Sequence, residues 1–176
     1  MDSSIPAAIP ESAFRQAPAG KLLALDVGLS RIGIAVCDPL HLTVRPLTVL
    51  HRRSRNQDFA ELAQLVTAQE VQAVICGLPL NMDGSEGSQA QTVRKWAIRL
   101  AQALRALLAR AIPVIFWDER LTTFAAQELI ADQHSLRGAE SGEDAVAAAV
   151  LLQGYLDSQR SEEPLDFGRI DLPLRL

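Results

Sequence analysis

Apolar positions along this chain fall into short unbroken runs and longer stripes with helical spacing. Lys21–Gly28 (KLLALDVG) and Arg31–Cys37 (RIGIAVC) are two such runs around Gly28-Leu29-Ser30, and turn residues between them predict a hairpin. A third short strand, near Leu47–Leu50, is expected after Pro46. Phe59, Leu62, Ala63, Val66 and Ala68 then trace a helical stripe through Asn56–Gln69. Val71–Gly77 (VQAVICG) reads as a buried strand and runs into the loop Leu78–Gly87, where Asp83-Gly84 signals a turn. Ser88, with Gln91 three residues on, matches a capping box for the next helix. That helix places Val93, Trp96, Ala97, Leu100 and Leu104 on one face and Arg94, Lys95, Arg99, Arg105 and Arg110 on the other. Ile112–Trp117 (IPVIFW) is a further strand, with Asp118 and Glu119 at its carboxyl end. Helices are expected from about Thr123 to Ala131 and from Glu143 to Asp157, the last so apolar that it should lie on the sheet with little exposure.

Early hairpins followed by crossover helices predict an α/β fold, a mixed sheet with helices on its faces. A chain of 176 residues suits one domain, assigned here to 21–157. Residues 1–20, rich in Pro, Ala and Ser, read as a flexible arm, and 158–176 as an irregular tail. No apolar run reaches the roughly 20 residues needed to cross a bilayer, and the first residues lack the pattern of a signal peptide. No membrane association and a cytoplasmic location are therefore expected. Cys37 and Cys76 sit in apolar runs without zinc-ligand spacing, which predicts buried, reduced thiols. The net charge of −4 does not by itself announce a nucleic-acid binder.

Three carboxylates interrupt apolar elements. Asp26 lies inside the most core-like strand, Glu119 follows IPVIFWD, and Asp144 opens the apolar last helix. Charge in such surroundings must be paired, hydrogen-bonded, protonated or metal-bound. Asp144 could equally cap its helix, and Glu119 could be an ordinary strand-end acid with Asp118 as a rival. Asp26 is hardest to dismiss, because a central strand has no routine use for a charge. Two carboxylates about 4 Å apart repel by roughly 4 kcal/mol at an effective dielectric of about 20. A divalent cation relieves that repulsion, and oxygen-only ligands favour Mg2+ or Mn2+. Such a cation can activate water against a phosphodiester.

The segments ALDVGLSRIGIAVCD, GLPLNMDGSEG, DERLTT and EDAVAAAVLLQGYLD, in that order across about Lys21–Asp157, resemble the YqgF (RuvX) family. The resemblance implies an RNase H-like fold with a central five-stranded mixed sheet. It also implies divalent-metal nuclease chemistry associated with maturation of the pre-16S rRNA, or alternatively Holliday-junction resolution. The family's acidic positions fall on Asp26, Glu119 and Asp144, expected as both catalytic residues and metal ligands. The chain departs from the family at Arg137–Glu143 (RGAESGE), which leans acidic where relatives often carry basic residues.

Ser30 and Arg31, in the turn after Asp26, could reach a substrate phosphate or could simply make a polar hairpin tip. Arg120 could orient Glu119 or bind phosphate. Arg52 and Arg53, in the run His51–Arg55, are the local candidates for an RNA-backbone contact, against a solvated loop. Arg94, Lys95 and Arg99 read as a solvent face. His41, His51 and His134 have no partner at catalytic spacing. The expected substrate is RNA, a pre-rRNA, with branched DNA as the rival, handled by a monomer or homodimer. A non-cutting RNA-binding assembly factor is a third reading. A nucleotide-binding fold of the actin and Hsp70 type, whose first phosphate loop also resembles LDVGLSRIGIAV, would need a second domain that this length does not hold.

Overall fold

The first strand, β1 (Lys21–Val27), sends Leu22 and Ala24 to one face and Leu23, Leu25 and Val27 to the other, and both sets are buried. A strand covered on both sides reads as a continuous apolar run, which is why KLLALDV lacks alternation. The computed structural model describes residues 17–122, 127–132, 142–161 and 167–170. β1 pairs antiparallel with β2 (Arg31–Cys37), which pairs antiparallel with β3 (Val44–His51). On its other side β1 runs parallel to β4 (Val71–Leu78), and β4 parallel to β5 (Val114–Asp118). A two-residue strand, β6 (Arg169–Ile170), closes the far edge antiparallel to β5 and gives the sheet order β3-β2-β1-β4-β5-β6.

Helices cover both faces. α1 (Arg55–Ala68) and α2 (Ser88–Leu108) pack on the side of Leu23, Leu25 and Val27. A short helical stretch at 127–132, α3, follows β5 in the chain. α4 (Glu143–Gln159) lies on the side of Leu22 and Ala24, burying Ala145, Ala148, Ala149, Leu151 and Leu152 against it. The mixed sheet with helices on both faces is the architecture expected from the pattern. The expected start of α3 at Thr123 and most of the Arg137–Glu143 loop lie outside the described residues.

Several local expectations are corrected. β3 begins at Val44 rather than after Pro46, because Pro46 sits on an edge strand at a register shift against Ile34 and Ala35, where a missing N–H is tolerated. β6 gives part of the 158–176 segment regular structure; two residues paired through backbone leave no periodicity to read. Ser88 does not cap α2. The N-cap is Gly87, where a Cβ would come 2.9 Å from Asn81 Oδ1, and Ser88 is already helical, its carbonyl accepting from Thr92 Oγ1 at 2.9 Å. The capping pair instead belongs to α1, where the Ser54 hydroxyl accepts the Gln57 N–H at 3.3 Å. Both thiols are buried and free, as expected, and burial pushes Cys37 up to about 11.

The contact that fixes the site is between β2 and α4. Gly33 pairs with Asp26 across the hairpin, and a Cβ on Gly33 would lie 1.8 Å from the Asp144 carbonyl oxygen. The start of α4 therefore rests on bare backbone beside Asp26, which no residue but glycine permits. Gly33→Ala should push α4 outward and cost about 1–3 kcal/mol, as overpacking does. Chemical denaturation would show this, and an unchanged midpoint would refute the close approach.

Candidate active site

Strand alternation puts Asp26 on the α4 face, in series with Leu22 and Ala24. Its neighbours on that face are glycines. Gly33 is its partner on β2, and Gly77 on β4 lies one residue beyond Cys76, which pairs with Leu25. A Cβ on Gly77 would come within 2.5 Å of both Glu119 Oε1 and Leu151 Cδ1. The two glycines leave open floor on either side of Asp26: one side admits the start of α4, the other the Glu119 side chain. Sequence reasoning missed this role. The available signal was a glycine inside each apolar run, which marks a close approach by another part of the chain.

Glu119 opens a 3-10 turn, Glu119–Leu121, directly after β5. It shares with Asp26 a cavity of about 280 Å³, lined also by Thr122, Gln127 and Leu151. The Thr122 hydroxyl donates to the Glu119 carbonyl and holds the turn closed. Burial, then the Asp26 charge, then that of Asp118 push the Glu119 carboxyl up to about 7. Burial and the Asp144 charge raise Asp26. The two carboxyls thus sit in one half-buried space where each added negative charge is disfavoured. Among the described residues no cation or hydrogen-bond donor is set against either carboxylate.

Asp144 stands on the other side of Asp26 and is engaged differently. Its Oδ2 pairs with Arg31 Nε at 2.8 Å, and it does not line the Asp26–Glu119 cavity. Among the described residues no three acidic, His or Cys side chains stand ready to grip an ion together. The structure thus brings Asp26 and Glu119 into one cavity and Asp144 within electrostatic reach of Asp26, with Arg31 as its counter-ion. The donor set still suits a hard divalent cation: two half-buried carboxylates with raised affinity for protons and no positive partner.

Asp118 and Arg120 have a different duty. Asp118 is fully buried, and Arg120 grips it through Nε at 3.0 Å and Nη2 at 2.6 Å. Arg120 Nη1 donates to the carbonyls of Asn81 and Met82, each at 2.9 Å. The end of β5 is thereby tied to the 79–87 loop, and the three nitrogens of Arg120 are occupied. Arg52 donates to the Gly28 carbonyl at 2.8 Å, and Arg53 pairs with Glu61 at 3.0 Å. Ser30 is exposed at the hairpin tip, its carbonyl accepting the Arg52 N–H. His41 holds the Gly20 carbonyl, far from the carboxylates.

Comparison with known proteins gives the family and the fold. The family model described as "RuvX: Holliday junction resolvase" matches residues 20–158. The chain belongs to the RuvX family. A relative from Anaeromyxobacter sp. (strain Fw109-5), described as "Putative pre-16S rRNA nuclease", is 43% identical over 142 residues, covering 80% of this chain and 99% of that one. A relative from Synechococcus elongatus with the same description is 42% identical over 147 residues, 83% of this chain and 93% of its own. Among solved structures, Thermus thermophilus RuvC in complex with a Holliday junction substrate superposes with a TM-score of 0.58 at 14% identity, over 80% of this chain and 95% of that one. The fold of this RuvX member is thus that of RuvC, the RNase H-like arrangement expected from the sequence, with β6 added to the five strands.

Two outcomes follow. In metal-free buffer the unfolded chain releases the Glu119 proton near the ordinary value of 4.5 and the folded chain near 7. The stability tied to the neutral form is full below the first value and lost as pH rises through the second. Glu119→Gln should therefore gain melting temperature relative to the parent between about pH 5 and about pH 8, and divalent metal should narrow that gap. Parallel melting curves across this range would count against the shift. Arg120→Met strands the buried Asp118 charge, so it should lower the melting temperature well beyond Arg53→Met, which breaks an exposed pair. Adding Asp118→Leu should recover most of that loss.

Proposed function

We propose that this chain is a divalent-metal-dependent nuclease that hydrolyses RNA phosphodiesters at the ends of the pre-16S rRNA in the cytoplasm. The observation that carries the reading is the Asp26–Glu119 cavity, where two acids with raised pKa values face each other without a cation. Membership of the RuvX family and the curated relatives described as pre-16S rRNA nucleases support it. Among the described residues, no helix is long and apolar enough to cross a membrane.

In this reading Asp26 and Glu119 hold Mg2+ or Mn2+, and Asp144 completes the ligand set. The metal supplies a lowered pKa for attacking water and charge neutralisation at the leaving oxygen. Asp26 is carried on the middle of a six-stranded sheet, so its position is fixed by the core rather than by a loop. Glu119 can hold or release a proton near neutrality. Arg31 neutralises Asp144 and is placed to exchange that partner for a substrate phosphate, with Ser30 beside it at the same tip. Arg52 and Arg120 act through backbone: the first braces the hairpin at Gly28, the second fixes the turn that presents Glu119. Arg53, largely exposed, is left to contact RNA from the adjoining loop.

A second reading is cleavage of branched DNA, favoured by the description of the matching family model. One assay separates the two. Labelled pre-16S rRNA ends and a four-way DNA junction are each incubated with Mg2+ or Mn2+. Cleavage of the RNA is expected, and Asp26→Asn should reduce it by more than the roughly 10–100-fold that losing a supporting residue of a metal site costs. Equal cutting by Asp26→Asn would overturn the carboxylate mechanism, and cutting of the junction alone would transfer the activity to DNA.

A further inference from the structure

On the opposite face of the sheet from the carboxylates, a groove of about 360 Å³ opens between the hairpin tip and α2. Four cations from three elements line it: Arg52 after β3, Arg55 at the start of α1, and Lys95 and Arg99 on α2. Among the described residues no acidic side chain lines it, although the whole chain carries a net charge of −4. Arg55, Lys95 and Arg99 are exposed and have no ion-pair partner among the described residues. Arg52 is the exception, lying near Asp58 and over the Trp96 ring at 5.7 Å from its centroid. Arg94, next along the helix from Lys95, is turned away to Glu86 and over the Phe116 ring.

The apolar part of the lining has its own character. Trp96 is almost fully buried, whereas Leu29 at the tip is 92% exposed. Exposed cations around an apolar wall suit a nucleotide, whose phosphate is anionic and whose base has an apolar face. The volume lies at the lower end of the roughly 300–1,000 Å³ of ligand pockets, fit for one nucleotide and not for a duplex. Val27 lines the groove from β1 and immediately follows Asp26. A strand leaving the carboxylates therefore reaches these cations by crossing Gly28-Leu29-Ser30.

We propose that this groove is a second nucleic-acid subsite, which seats one nucleotide of a single strand that continues over the hairpin tip to Asp26 and Glu119. Arg55, Lys95 and Arg99 hold its phosphates, Leu29 contacts its apolar surface, and Arg52, seated over the buried Trp96 ring, braces the tip. This rests on the nuclease reading and adds to it the path of the strand. The α2 cations, which the sequence presents as a solvent face, become part of the substrate surface.

The test is binding of a fluorescent single-stranded RNA to the full chain in metal-free buffer, read by anisotropy across a salt series, so that cleavage does not enter. Lys95→Ala/Arg99→Ala should weaken binding at least about tenfold and reduce the steepness of log K against log salt by about 1.4, at roughly 0.7 for each phosphate left without its cation. Arg55→Ala, on a different helix, should give about half that change in slope. Arg45→Ala/Arg105→Ala removes the same charge elsewhere and should leave the slope near the parent's. Equal losses in both double variants would reduce the effect to bulk charge and overturn the subsite. Unchanged binding in the groove variants, with the parent still binding and cutting RNA, would overturn the subsite alone. A parent that neither binds nor cuts nucleic acid would bring down the nuclease reading as well.

Discussion

A negative charge in the middle of a sheet is the constraint around which this molecule is arranged. Asp26 occupies a strand whose other inward residues are all apolar, and its surroundings make room for the charge without cancelling it. Gly33 and Gly77 withhold side chains on either flank, small residues on α4 allow a close approach, and Glu119 enters the vacated space. Among the described residues the nearby counter-charge is Arg31, and it is spent on Asp144. A fold selected for stability alone would fill this floor with methyl groups, since unpaired buried charge is among the costliest features a core can hold. The cost is intelligible if the charge is kept for a ligand.

Much of this was legible in the chain because it depends on contrast. Asp26 and Asp144 stand out against apolar runs, and the order of strands and helices follows from periodicities of two and 3.6. What was not legible depends on distance in sequence. Nothing around Gly33 says that the backbone of Asp144 will rest upon it, and nothing in Asp118-Glu119 says which acid will be buried on Arg120 and which will face the cavity. The end of β5 decides that: Asp118 is the last residue of the strand and Glu119 the first of the 3-10 turn. The division among the α2 cations was not legible for the same reason. A helical wheel separates polar from apolar, but only the hairpin tip opposite divides Lys95 and Arg99 from Arg94.

The two faces of the sheet hold opposite signs of potential a short distance apart. On the α4 side, Asp26 and Glu119 concentrate negative charge; on the α2 side, the groove concentrates positive charge. The hairpin tip divides them and is itself held by Arg52 on the Gly28 carbonyl. A polyanion drawn to one side would be repelled from the other until a cation is present, which couples metal occupancy to how far a substrate can advance.

The 79–87 loop has a consequence of its own. Arg120 fastens the carbonyls of Asn81 and Met82, Asp83 is bound back on Ser85, and Arg94 grips Glu86. A segment anchored at so many points behaves as a wall and not as a flap. Met82, 93% exposed at its crest, is held out to solvent by that scaffolding. The turn that presents Glu119 is therefore braced, through Arg120, against a loop ordered before any substrate arrives, with little entropy left to lose when one does.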